Sequence, residues 1–175
     1  MRGRLLLGVA AVVLVVAAYL FMTRSSAVAP HLVSSDPVAM IGSGSSAVGV
    51  AADGTVLAFL PAPEEGSLPT LPLETPPKGP RLRGPALEEA RILGAAPPAL
   101  RPYVEGSYYG ESGIDVKLTS GVELRFGDST QAARKWRAAA AVLADPKVTA
   151  LDYVDLLSPR HPSIGGSGHT LPSIP

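Results

Sequence analysis

The chain of 175 residues contains no cysteine, only nine aromatic residues and no excess of either charge, with 15 basic and 15 acidic side chains. Without cysteine there is no disulfide framework, thiolate metal site or thiol nucleophile. Balanced charge argues against a nucleic-acid binder, whose affinity comes from neutralising phosphates. It argues equally against a strongly charged disordered tail. With so few aromatics, the core is built mainly from valine, leucine and alanine. Glycine and proline are abundant, 18 of each, just short of a low-complexity composition. The length suits one small domain.

These averages mix two regions. From Leu5 to Met22 the chain runs eighteen residues without a charge. At about 1.5 Å per residue a helix of that length spans roughly 27 Å, enough for a bilayer core. Arg2, Arg4 and the amino terminus precede it, and only Arg24 follows closely. The positive-inside bias places residues 1–24 as a cytoplasmic N-terminus and single-pass anchor in the plasma membrane, with the rest extracytoplasmic. The alternative is a cleaved signal peptide, with Ala27-Val28-Ala29 as a small-x-small site. Against it, the apolar run exceeds the usual 7–15 residues or so, and Pro30 follows the cut. Either way the remainder is exported. Without Arg2, Arg4 and Arg24 it holds 12 basic and 15 acidic residues, a net charge of −3.

Residues 25–36 read as a polar spacer and 37–157 as one domain. Val38–Ile41 and Ala47–Val50 are short apolar runs, and Ala47–Leu60 reads as a β-hairpin turning at Ala52–Gly54. Residues 61–102 hold eleven of the prolines and read as extended coil, interrupted by a helix that starts at Pro85, with Glu88 and Glu89 near its positive end. Val104–Tyr109 reads as a strand. In residues 114–126 apolar and polar residues alternate on both sides of a three-residue turn, Thr119-Ser120-Gly121. That turn pairs Leu118 with Val122, Val116 with Leu124 and Ile114 with Phe126. It also sets Lys117 opposite Glu123 and Asp115 opposite Arg125.

A helix is expected over Ser129–Ala144, with Asp128 as N-cap and Gln131 completing a variant capping box. Trp136 lies on its apolar face, as a core anchor, and Arg134, Lys135 and Arg137 lie largely away from that face. Val148–Leu157 reads as the final strand and residues 158–175 as a disordered tail. The expected fold class is α+β, a mostly antiparallel sheet with helices packed on one face.

No constellation for chemistry emerges. Gly42-Ser43-Gly44 lacks the third glycine and the helix of a dinucleotide fingerprint. His31, His161 and His169 lie in Pro/Gly/Ser-rich flanks, where nothing holds them as ligands or bases. Asp152 and Asp155 point to opposite faces of a strand and cannot share a proton. Lys78, Arg81 and Arg83 read as a solvated loop. The expectation is a protein with no catalytic, metal or cofactor site and no small-molecule substrate. The final strand is the feature that can bind another chain. It is apolar on two sides, which suits cover on both, by the fold or by a partner's added strand.

The exported domain resembles the β domain of the bacterial cell-division family FtsQ/DivIB. The resemblance rests on Ala51-Ala52-Asp53-Gly54-Thr55-Val56, the proline-rich Leu68–Pro80 leading to Leu82-Arg83-Gly84, and the strand pair around Leu118–Phe126. Gly127-Asp128, Lys135 in the following helix and Leu151-Asp152-Tyr153-Val154-Asp155-Leu156 complete it. It covers about residues 36–160 in the family's order. Two features depart from the family: residues 25–36 stand where a POTRA module is usual, and Leu157-Ser158-Pro159 replaces basic and aromatic positions.

The resemblance implies a non-catalytic scaffold of the division septum, working with the septal cell-wall synthesis complex. Its partners are FtsB- and FtsL-like proteins, which add a strand beside the last one. Carried over by position, the binding edge is Tyr153, Val154, Asp155, Leu156 and Leu157, with Ser158 just past it. On this reading Val154→Pro abolishes partner binding without unfolding the domain. The alternatives are a stand-alone envelope binding module and a membrane-anchored cell-wall enzyme.

Overall fold

The computed structural model describes residues 36–171. The expected anchor and nearly all of the spacer, like the last four residues, lie outside them. Among the described residues no helix is long and apolar enough to cross a membrane.

Strands β1 (Pro37–Ile41) and β2 (Val48–Ala51) pair antiparallel. The hairpin expected at Ala47–Leu60 forms on the other side of β2. The Ala51 N–H donates to the Thr55 carbonyl at 2.9 Å and the Leu57 N–H to the Gly49 carbonyl at 2.8 Å. Its turn is held by the Asp53 carboxylate, which accepts the Thr55 N–H at 2.9 Å, while Gly54 takes a φ of +81°.

The proline-rich stretch is extended, as expected, but it is also a seam. The Met40 N–H donates to the Pro69 carbonyl, and the Leu71 N–H to the Met40 carbonyl, both at 2.9 Å. On the far side the Thr70 N–H donates to Glu105 at 3.4 Å. A second contact runs from the Val56 N–H to the Pro80 carbonyl at 2.9 Å. Proline lacks the N–H but keeps its carbonyl, so Pro69 and Pro80 sit where only an acceptor is needed.

Helix α1 (Pro85–Gly94) opens on its proline and buries Ala90, Ile92 and Leu93. A five-stranded sheet follows in the order β3 (Val104–Gly110), β4 (Gly113–Leu118), β5 (Glu123–Gly127), β6 (Ala150–Asp155) and β7 (Ser163–Thr170). The β4–β5 register is the expected one at Lys117–Glu123, Val116–Leu124 and Asp115–Arg125. The Leu118 N–H closes onto Val122 at 2.9 Å, and Gly121 has a φ of +91°. A bulge then shifts Ile114 from Phe126 to Gly127. The fold is α+β, and β5–β6 is the one parallel strand pair in this sheet. Helix α2 (Ala132–Leu143) fills the crossover between them, and a parallel pair requires such a connection.

Three expectations change. Helix α2 begins three residues later than Ser129, and Gln131 sits before it with φ +55° and no side-chain cap. The Asp128 carboxylate is engaged elsewhere, by the Thr130 N–H at 3.1 Å and by Lys135 at 2.7 Å. Residues 163–170, assigned to a disordered tail, form strand β7 against β6. Their glycines carry little strand propensity, so nothing in their composition suggested a strand. Consequently β6 is not the sheet edge, because β5 pairs with one side of it and β7 with the other.

The core lies on one face of the sheet. Val116, Leu118, Leu124, Phe126, Val154 and Leu156 point into it, where they meet both helices. Trp136 of α2 is fully buried there. It donates its indole N–H to the Ile92 carbonyl of α1 at 2.7 Å and packs on Phe126 with ring centroids 5.0 Å apart. Leu151 joins the same face although strict alternation puts it opposite Val154. The β6–β7 register also slips between Leu151 and Tyr153, with the two extra residues in β7.

Candidate partner-binding edge

Beyond the core, the outer face of the sheet carries a row of polar and aromatic side chains from β3 to β7. The Tyr108 hydroxyl of β3 donates to the Glu123 carboxylate of β5 at 2.7 Å. Burial and that carboxylate together raise the phenol's pKa well above its usual value. The Arg125 guanidinium lies 3.8 Å from Glu123 and 3.8 Å over the ring of Tyr153 on β6. Strand register brings Lys117 opposite Glu123, yet its ammonium pairs instead with Glu105 at 3.3 Å.

Asp115 is the strained member of this row. It is only 6% exposed, and its Oδ1 has no hydrogen-bond partner. Burial pushes its pKa up to about 6, opposed by Arg125 and reinforced by Glu123 and Asp155. A carboxylate whose folded pKa is raised contributes most below its unfolded value of 3.8, and that contribution is lost as pH rises through about 6. Asp115→Asn is therefore expected to match the parent at pH 4 and to exceed it by about 1–3 kcal/mol at pH 8. Urea unfolding at the two pH values checks this; equal stabilities at pH 8 would show that the carboxylate is not penalised.

The last element of the row is β7. All its residues are exposed or half-buried, and Ile164 is 47% exposed. Two β6 side chains hold it by fitting against bare backbone. The Asp152 carboxylate accepts the Gly168 N–H at 2.7 Å and presses on Gly166, whose φ is +76°. The Tyr153 ring crosses Gly165, where an added Cβ would lie 2.5 Å from it. The positive φ favours glycine at position 166, and at position 165 a side chain would force the Tyr153 ring to shift. At the other end the His169 ring packs on Gly121 of the β4–β5 turn.

The six residues expected to form the edge are thus divided. Val154 and Leu156 are fully buried, and the Leu156 N–H donates to Arg125 at 2.9 Å. Val154→Pro is expected to disrupt the core and does not isolate a binding edge. Tyr153 and Asp155 lie half-buried beneath the partners of β7, Gly165 and Ser163. Leu157, 52% exposed, and Ser158 lie past the strand. Among the described residues the unpaired edge at this end of the sheet belongs to β7.

The remaining candidates sit apart. Arg81 of the basic cluster pairs with Asp53 at 3.2 Å. His161 lies in the β6–β7 connection, with its N–H on the Ser158 carbonyl at 2.9 Å. His31 is outside the described residues. The buried Lys135 and Glu89 escaped the sequence reading as features of the fold. Helical periodicity sets Lys135 away from the apolar face with Arg134 and Arg137, yet it is buried, and Glu89, read as a charge near a helix start, is buried too.

Residues 39–156 match the model of the family described as cell division protein FtsQ/DivIB, C-terminal. The chain belongs to the FtsQ/DivIB family. No curated protein matches it. The family places the chain in cell division and is non-catalytic. The matched span ends at Leu156, so it takes in β6 and stops short of β7.

Proposed function

We propose that this FtsQ/DivIB protein is a single-pass scaffold of the division septum. Its extracytoplasmic domain takes up a strand from an FtsB- or FtsL-like partner on the free edge of β7. The observation that carries the reading is an exposed terminal strand, backed by Tyr153 and Asp152, at the end of a sheet in a division-family domain. Main-chain hydrogen bonds supply the affinity in this mode, and alternate side chains the choice of partner. The apolar run Leu5–Met22, with Arg2 and Arg4 before it, supports the anchor and its orientation.

The test is site-specific photo-cross-linking of the full chain co-expressed with its FtsB- and FtsL-like partners. A benzoylphenylalanine at Ser167 is expected to capture a partner. Cross-links from Leu157 and Ser158 alone would move the dock past the end of β6, and none from any of the three would end the strand-addition reading.

A further inference from the structure

The outer face of the sheet contains one buried acceptor that its neighbours leave unsatisfied, the Asp115 Oδ1. Strand register sets Tyr108 of β3 on one side of Asp115 and Arg125 of β5 on the other, with Asp155 of β6 beyond Arg125. The nearby carboxylates are already engaged. Glu123 accepts the Tyr108 hydroxyl at 2.7 Å, and Asp155 accepts the Leu157 N–H at 2.9 Å. Lys117, on the same face of β4, turns away to Glu105 at 3.3 Å.

Arg125 faces two sets of partners. Asp115 is its cross-strand neighbour, yet its guanidinium leans to the next row, 3.8 Å from Glu123 and 3.8 Å over the Tyr153 ring. That position suits an uncharged Asp115, which exerts no pull on a cation. A buried carboxylate with an unsatisfied oxygen, in contrast, is costly until a cation reaches it. Burial raises the Asp115 pKa to about 6, so the group changes charge in mildly acidic solution. On the far side of the row, the Tyr153 ring lies against the bare backbone of Gly165. Strand β7 buries no side chain of its own, so it is held by contacts of this kind.

We propose that Arg125 is a two-position switch set by the proton on Asp115, and that it governs how firmly β7 is held. With Asp115 protonated, the guanidinium stays over Tyr153 and keeps the ring on Gly165. With Asp115 ionised, it crosses to the Asp115 carboxylate, which gains a charge-assisted hydrogen bond. The partly solvated contacts with Glu123 and Tyr153 are weaker and are given up. The Tyr153 ring then lifts more readily from Gly165, and β7 opens more often. The switch is a property of this domain and depends on neither an anchor nor a partner. Where β7 takes up a partner's strand, it makes that dock sensitive to pH.

Hydrogen exchange of the full-length chain in mild detergent tests this, read by mass spectrometry on peptides from β7 and from β4–β5. The two conditions are about pH 5 and about pH 8, on either side of the Asp115 titration. With intrinsic exchange corrected, β7 protection is expected to fall about two- to fivefold relative to β4–β5 at the higher pH, the factor an exposed cation–π contact supplies. Asp115→Asn is expected to abolish that relative fall. Arg125→Gln is expected to leave β7 weakly protected at both pH values. Equal falls in β7 and β4–β5 would show a general loss of stability from the buried carboxylate and overturn the switch. A relative fall that persists in Asp115→Asn, which retains His161 and His169 in and beside β7, would do the same. So would an Arg125→Gln chain whose β7 is as protected as the parent's at the lower pH.

Discussion

Trp136→Ala is expected to lower the unfolding free energy by about 3–5 kcal/mol, the usual cost of removing a large buried aromatic. The site cannot close over the loss. Trp136 is fully buried and fills the space between α1, α2 and the sheet, against Phe126. Its neighbours in α2 include Ala132 and Ala139, too small to reach into the gap. The substitution also leaves the Ile92 carbonyl without its indole donor at 2.7 Å. Trp136→Phe separates the two effects, since it retains most of the bulk and loses only the donor. About 1–2 kcal/mol is expected for that change. Urea unfolding measures both. A loss below about 1 kcal/mol for the alanine variant would mean that the helices do not depend on this contact, against the usual cavity cost.

Lys135→Met is expected to cost about 3 kcal/mol, although it replaces a charge by an apolar side chain of similar length. The Lys135 side chain is only 4% exposed. Its ammonium donates to the Phe126 carbonyl at 2.7 Å, the Asp128 carbonyl at 3.1 Å and the Asp128 carboxylate at 2.7 Å. Three donors meet three acceptors, so a lysine is affordable there. Methionine fills the volume but removes all three bonds, leaving the Phe126 carbonyl with only the Asp128 N–H at 2.9 Å. The ion pair itself contributes less than the carbonyl contacts, because the Asp128 side chain is 57% exposed and solvent screens it.

The two parts separate by pH. The side-chain hydrogen bond from Lys135 is the largest influence lowering the Asp128 pKa, followed by that from Thr130. A carboxylate with a lowered folded pKa contributes stability above its unfolded value of 3.8, and that contribution is lost as pH falls through the folded value. The gap between parent and Lys135→Met is therefore expected to narrow below about pH 4 without closing. Complete closure would show that the ion pair accounts for the whole effect.

Much of the fold was legible in short-range pattern. The alternation of Ile114–Leu118 with Val122–Phe126 located two strands and most of their register, because a period of two puts one set of residues in the core. Pro85 with its following acidic residues marked α1, since the start of a helix tolerates a missing N–H and favours carboxylates. Asp53-Gly54 marked a turn for the same local reason. Asp128 shows the limit: its spacing to Gln131 suited a cap, but a lysine seven residues on provided a stronger partner.

The candidate site was the least legible part. The residues of β7 bury no apolar side chain, and their order depends on Asp152 and Tyr153 lying over glycines twelve or more residues away. The same contact moved the free edge from Tyr153–Ser158 to the next strand. A polar, glycine-rich segment reads as a tail until the strand that receives it is known.

What the sequence determined by itself was set by local chemistry. The absence of cysteine excludes thiol and disulfide chemistry. The balanced charge breaks down into three arginines around an apolar run and a remainder of net charge −3. Alternation and turn residues set the α+β class. Tertiary structure alone decided that Pro69 and Pro80 serve as acceptors in a seam, that Asp115 is buried without a full set of partners, and that the sheet ends on β7. Each of these depends on groups brought together from distant parts of the chain, and neither periodicity nor propensity encodes such pairings.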